Sequence, residues 1–243
     1  MRIPDIHYLN KEKSFNLLPS WSDYQKFIND QHAQIHELTE SIDGWHAPGD
    51  TVKLYELGFF RGEVILEIGV WAGRSAVAQL LGAVSNPERK HPPQYFGIDI
   101  DKNSLVRTYD TLKRFNLDQY AFLFHGNLEQ FISAINICPT TVFVDGDHRY
   151  EGIKKDLECL SQILAPQTTV LCHDYSVERN DHHEFGVKQA CNEWEEQGYA
   201  SFIGRFGVSA LYLTADKCEG FRGGLSRRNF HAAQKIMQDN FLK

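Results

Sequence analysis

Two acidic turns and one glycine turn hold the residue types in this chain that do chemistry. Val142-Phe143-Val144 is an apolar run that ends on Asp145-Gly146-Asp147-His148, and the run from Thr168 to Cys172 ends on His173-Asp174. Acids at the end of a buried strand are costly unless they are used or paired. Brought to one cleft, these carboxylates and imidazoles would suit acid–base work or a divalent cation. Histidine titrates near neutral pH, so His148 is the first choice of base and Asp147 the second. A plain cluster of helix caps is the alternative.

The glycine turn lies upstream, in Val64-Ile65-Leu66-Glu67-Ile68-Gly69-Val70-Trp71-Ala72-Gly73-Arg74-Ser75. It reads as a buried strand, a tight turn and a helix start. Gly69 and Gly73 lack a Cβ and would let a ligand approach the backbone. The first helical amides and the Ser75 hydroxyl would meet an anion, while Glu67 would meet a cation. A ligand with both charges on one carbon is an amino acid. The competing reading, an ordinary strand–turn–helix, carries about equal weight for so short a motif. A dinucleotide turn would read G-x-G-x-x-G, and this spacing does not. Asp99 closes the next apolar run, 32 residues after Glu67. A carboxylate there can accept both hydroxyls of a ribose, or it can cap the helix near Lys102. Asn127 suits an adenine edge or another helix cap. His32 and His36 have a metal-binding spacing, but with no third ligand nearby they read as a solvated helix face.

The elements that must position these groups alternate. Strands are expected at Val64–Ile68, Tyr95–Asp99, Ala121–His125, Thr141–Asp145 and Thr168–His173. Helices are expected at Thr51–Phe60, Asn103–Phe115, Leu128–Ile135 and Tyr150–Leu164, with another around Val187 to Trp194. Gly44 to Asp50 reads as a loop, and Trp21 to Glu40 as helix. Ala200–Arg205 and Val208–Thr214 flank Phe206-Gly207 and should pair as an antiparallel hairpin. Alternation of this kind gives right-handed β-α-β units on a mainly parallel sheet. Ligands of such sheets bind outside the carboxyl ends of the strands, where Glu67, Asp99, Asn127, Asp145 and Asp174 all fall. The expected division is a helical cap over 1–50, a ligand-binding domain over 51–218, and a helical extension over 219–243 with a helix from Asn229.

Composition limits the partners. The chain of 243 residues carries 25 basic and 32 acidic side chains, a net charge of −7, which argues against a nucleic-acid surface. No apolar stretch is long enough to span a bilayer, and Met1-Arg2-Ile3-Pro4-Asp5 opens no secretory signal. The five cysteines are an odd number without a C-x-x-C pair, as expected of reduced thiols in the cytoplasm.

The stretches E-I-G-V-W-A-G-R-S, V-D-G-D-H-R-Y-E-G-I-K-K-D-L and C-H-D-Y together resemble the class I methyltransferases that use S-adenosylmethionine (SAM). Within these, the chain is similar to the O-methyltransferase group containing the catechol and macrocin enzymes, over roughly residues 50–215. The resemblance implies a seven-stranded sheet with the last strand antiparallel. It implies that Glu67, Trp71 and Ser75 contact the methionine portion of SAM, that Asp99 holds the ribose, and that Asp145 lies beside the reacting centre. It also implies that a magnesium or manganese ion could sit on Asp145 and the pair His173-Asp174, although magnesium prefers oxygen ligands. Asp147 and His148 match the positions of a general base in some relatives. The expected function is O-methylation of a small-molecule or sugar-containing acceptor; a homo-oligomer is left open. Three other readings stand beside it: a metal-using, hydroxylase-like enzyme of the same broad family, a nucleic-acid methyltransferase, and a non-catalytic module that binds SAM or a nucleotide.

Overall fold

The fold is seen in a computed structural model that describes residues 30–182 and 184–218. Its strands are β1 (Val64–Ile68), β2 (Gln94–Asp99), β3 (Ala121–His125), β4 (Thr141–Val144), β5 (Thr169–Cys172), β6 (Ala200–Phe206) and β7 (Ser209–Thr214). Its α-helices are α1 (Asp30–Glu40), α2 (Pro48–Arg61), α3 (Arg74–Ser85), α4 (Lys102–Arg114), α5 (Leu128–Ala134), α6 (Tyr150–Ile163) and α7 (Val187–Glu196). The strands form one sheet in the order β3-β2-β1-β4-β5-β7-β6. The first five pair in parallel, and β7 inserts antiparallel between β5 and β6. Apolar runs such as Val142-Phe143-Val144 are buried along their whole length, as a sheet covered on both faces requires. The expected doubly wound, Rossmann-like α/β fold with a terminal hairpin is therefore the fold observed.

Strand order reverses around β1, which has β2 on one side and β4 on the other. This is the switch point, where the loops leaving the two strands diverge and open a crevice. Single backbone bonds carry the ladder past the strand ends. Asp145 N–H donates to Ile68 at 2.8 Å, His173 N–H to Val144 at 2.9 Å, and Gly126 N–H to Asp99 at 2.9 Å. Asp145, His173 and Gly126 are thus held by sheet hydrogen bonds, although they lie just outside the strands.

Helices α2 and α3 cross with their backbones almost touching. A Cβ on Gly58 would lie 1.9 Å from the Gln79 carbonyl oxygen, and one on Gly82 would lie 2.0 Å from that of Tyr55. The two glycines interlock and fix α2 against the helix that begins at the crevice.

The loop expected over Gly44 to Asp50 is shorter than the sequence reading made it, because α2 begins at Pro48 rather than Thr51. Proline is preorganised for the first helical position, and Asp50 at the third returns its carboxylate to Ala47 N–H at 2.8 Å. The expected boundary between a cap and a binding domain at residue 50 falls inside this helix. The other oxygen of Asp50 accepts from Val208 N–H (3.1 Å), Ser209 N–H (3.0 Å) and Ser209 Oγ (2.6 Å) in the β6–β7 turn. Asp50 is fully buried, and sequence patterning does not reveal it. Other element ends move by a residue or so. The helix expected before residue 30, the 219–243 extension and its helix from Asn229 lie outside the described residues, as do the side chain of His32 and so any pairing with His36. No helix among the described residues is long and apolar enough to cross a membrane.

Removing the Asp50 carboxylate strands several buried donors. Asp50→Ala should lower the unfolding free energy by about 3 kcal/mol or more in a urea titration. A loss below about 1 kcal/mol would show that the turn is held by other contacts.

Candidate active site

A cavity of about 850 Å³ opens at the switch point. Every residue expected at the site lines it except Glu67 and Gly73. The exceptions show how the glycine turn is built. Gly69, at φ 83°, could not take a Cβ, which would lie 2.1 Å from the Asp145 carbonyl oxygen. A Cβ on Gly73 would meet Thr108 at 3.2 Å. The glycines therefore make room for the chain's own backbone and side chains, and Gly69 also lines the cavity.

Glu67 is wholly buried beneath the turn. It accepts hydrogen bonds from Ser75 Oγ, from Gln79 Nε2 at 2.6 Å and from Tyr95 Oη at 2.8 Å. Its expected role as direct partner of a cation is not met by this geometry, and the Ser75 hydroxyl is turned onto it. Burial pushes Glu67 up to about 8, against the opposing hydrogen bonds of Ser75, Tyr95 and Gln79 and with added repulsion from Asp145.

Asp99 holds the turn from the β2 side. One oxygen accepts from Val70 N–H (3.1 Å) and Trp71 N–H (3.3 Å), the other from Asp101 N–H (2.8 Å). The N-cap of α4 is Asp101, not Asp99, so the capping alternative for Asp99 falls away. A carboxylate has about four acceptor positions, which leaves Asp99 capacity toward the cavity. Asn127 does cap a helix, accepting from Gln130 N–H at 2.9 Å, and also lines the cavity. Trp71 has a left-handed backbone (φ 46°), is 55% exposed and carries the Arg107 guanidinium 5.0 Å from its ring centre.

The acid–imidazole cluster does converge. One ligand atom each from Asp145, His148 and Asp174 lies within 4.8 Å of the others. His148, rather than the expected His173, completes this trio. His173 is only 4% exposed and is enclosed by acids: its Nδ1 is 3.0 Å from Asp145 and 3.5 Å from Asp174, and its Nε2 is 3.7 Å from Asp50. Burial opposes its charge, yet the three carboxylates outweigh burial and raise its pKa well above the usual value. His46, whose ring centre lies 5.4 Å away, is driven the other way by burial and by His173, and stays neutral. His148 Nδ1 is 3.2 Å from Asp174, and its ring stacks on Phe185 at 4.7 Å. Asp174 has φ 57°, a strained conformation for a non-glycine residue.

Asp147, the second choice of base, is bound by Arg149 through its backbone N–H (3.0 Å), Nε (2.9 Å) and Nη2 (2.6 Å). Those bonds hold its carboxyl below the usual range and make it a poor proton acceptor. Sequence reasoning missed several lining residues. Trp45 and His46 sit beside His173, and Asp156 on α6 is pushed up to about 6 by burial and by Asp147. The Gly-Trp-His-Ala-Pro string was the available signal for the first two.

A methyltransferase-domain family model matches residues 66–175. None of the curated protein sequences matches the chain. Among solved structures, the chain is similar to an O-methyltransferase from Bacillus cereus in complex with S-adenosylhomocysteine (SAH), at 14% identity and TM-score 0.57, over 77% of this chain and 92% of that one. It is similar to SAH-bound PaMTH1 from Podospora anserina, at 14% identity and TM-score 0.59, over 78% and 89%. It is also similar to TomG from Streptomyces achromogenes, an O-methyltransferase of tomaymycin synthesis solved with SAM, at 18% identity and TM-score 0.57, over 76% and 88%. Likeness at these identities establishes the common fold.

The raised pKa of Glu67 has a measurable sign. The folded chain keeps a proton that the unfolded chain releases above about pH 4.5. Its contribution to stability is full below pH 4.5 and is lost as pH rises to about 8, at no more than about 1.4 kcal/mol per pH unit. Glu67→Gln should remove that slope from the stability–pH curve. An unchanged slope would assign the proton to another group.

Proposed function

We propose that this protein, whose residues 66–175 match a methyltransferase-domain family model, moves the methyl group of SAM onto a hydroxyl oxygen of a small molecule, sugar-bearing metabolites included. The observation that carries the proposal is the placement of Asp99 and the His148–Asp174 pair on one cavity at the sheet's switch point. In this reading the ribose lies on Asp99, the adenine runs toward Asn127, and the sulfonium end lies by Gly69 and Asp145.

SAM supplies an electrophilic methyl group, and the transfer is an in-line displacement by the acceptor oxygen. The chain's part is alignment, which alone is worth up to about 7–11 kcal/mol, and removal of the hydroxyl proton. Asp174 fixes the Nδ1 side of His148 and leaves Nε2 to take that proton. Phe185 holds the imidazole plane. His173, its pKa raised by the surrounding acids, lies against both Asp145 and Asp174, so the cleft tolerates two acids beside a substrate.

The donor set of Asp145, His148 and Asp174 also fits a divalent ion, manganese better than magnesium because one donor is nitrogen. Those three residues would hold it, and a bound ion acidifies a coordinated hydroxyl. Five free thiols suit the cytoplasm, and the acidic balance does not suit nucleic acid.

Calorimetry should find binding of SAH and none of NAD. Asp99→Ala should weaken SAH at least about tenfold by removing charge-assisted bonds to the ribose. Affinity left intact would confine Asp99 to the turn. With radiolabelled SAM and a panel of small hydroxyl acceptors, His148→Ala should lower turnover by about a hundredfold or more. Full turnover from pH 6 to 9 would remove His148 from the chemistry.

A further inference from the structure

His148 is held on two sides by groups from opposite ends of the connection between β5 and α7. Asp174, just past β5, brings Oδ2 to 3.2 Å from its Nδ1. Phe185, just before α7, stacks on its ring at 4.7 Å and 16°. Each partner stands where the backbone needs support. Asp174 has φ 57°, and a strained residue persists only where its surroundings over-determine it. Helix α7 starts after Gly186, which brings no side-chain cap to the first helical N–H groups.

One side chain serves both places. Asn180 ends the single 3-10 turn Glu178–Asn180. Its Nδ2 donates to the carbonyls of Asp174 at 2.7 Å, Val177 at 3.1 Å and Tyr175 at 3.3 Å. Its Oδ1 accepts from Lys188 N–H, in the first turn of α7, at 3.0 Å. Only this orientation of the amide sets donors against acceptors throughout. The α7 start is then locked to the turn that carries His148. Gly186 N–H donates to the His148 carbonyl at 2.8 Å, and a Cβ on Gly186 would lie 2.3 Å from Tyr150 Cα.

We propose that Asn180 is a positioning residue for the His148–Asp174 pair. It ties the Asp174 turn to the start of α7, and so sets the direction in which His148 presents Nε2 to the cavity. Asn180 does not itself line that cavity. The inference rests on the methyl-transfer reading, in which His148 takes the proton of the acceptor hydroxyl. A base displaced by about 1 Å loses up to about a hundredfold in rate, so a bond network behind it has a catalytic consequence.

The test is NMR on the full chain with labelled His and Phe, read with turnover of radiolabelled SAM on small hydroxyl acceptors. Wild-type protein should give cross-peaks between the His148 and Phe185 ring protons. Asn180→Ala should lose them and remain folded by thermal melting. Asn180→Asp keeps an oxygen for Lys188 N–H but turns another onto three carbonyls, and should lose them as well. In both variants kcat should fall at least about tenfold while KM for SAM stays within about twofold. Cross-peaks retained in the variants, or absent from the wild type, overturn the proposal. So does turnover that survives their loss, or failure of both variants to fold, which would make Asn180 a stability residue alone. Wild-type protein that methylates no hydroxyl acceptor overturns the methyl-transfer reading instead, and the cross-peaks still decide whether Asn180 holds the pair.

Discussion

Three carboxylates enclose one imidazole at the carboxyl edge of the sheet, and the rest of the site depends on that balance of charge. Asp145 follows β4, Asp174 follows β5, and Asp50 comes from α2; His173 lies among them almost without solvent. Each acid would be expensive at such a position alone. With a cationic imidazole between them they form a compact network in which one positive charge serves several negative ones. The network leaves His148 attached to its outer edge through Asp174. Burial, aided by the same charge, pushes its neighbour His46 well below the usual imidazole range, so two adjacent imidazoles are driven in opposite directions.

The glycine turn obeys a different constraint, which is space. Gly69 yields to the Asp145 backbone, so the turn after β1 and the acid after β4 are built as one piece. Asp99 then collects the amides of Val70 and Trp71. Glu67 braces the turn from below through Ser75, Gln79 and Tyr95. Carboxylates that look like ligand contacts in the sequence are, in the structure, what keeps the turn in shape.

The sheet was legible in the sequence because its strands are short apolar runs punctuated by turns, and because strand–helix alternation admits few topologies. The same rule placed Asp99, Asp145 and Asp174 at strand ends and so in one crevice. What was not legible depends on contacts between distant residues. Nothing near Asp50 announces that it reaches the 207–209 turn, and nothing in the order Asp147-His148-Arg149 says that Arg149 folds back onto Asp147. Nor does the order show that His148 brings a ring nitrogen to Asp174 while His173 is buried among the acids. The start of α2 was misplaced because Pro and Gly were read as loop residues, although proline at a first helical position favours the helix.

The bonds from Asp50 to the β6–β7 turn join residues 158 and 159 positions apart. Closing so long a loop costs entropy that only a nearly complete sheet can offset. On a ribosome, every lining residue from Asp43 to Asp174 emerges before Ser209 does. The acidic wall of the cleft is therefore among the last parts to set. Until the hairpin docks, Asp50 lacks its donors from the turn and His173 lacks a fixed third acid, so a nascent chain carries the groups that line the cleft well before it carries the cleft.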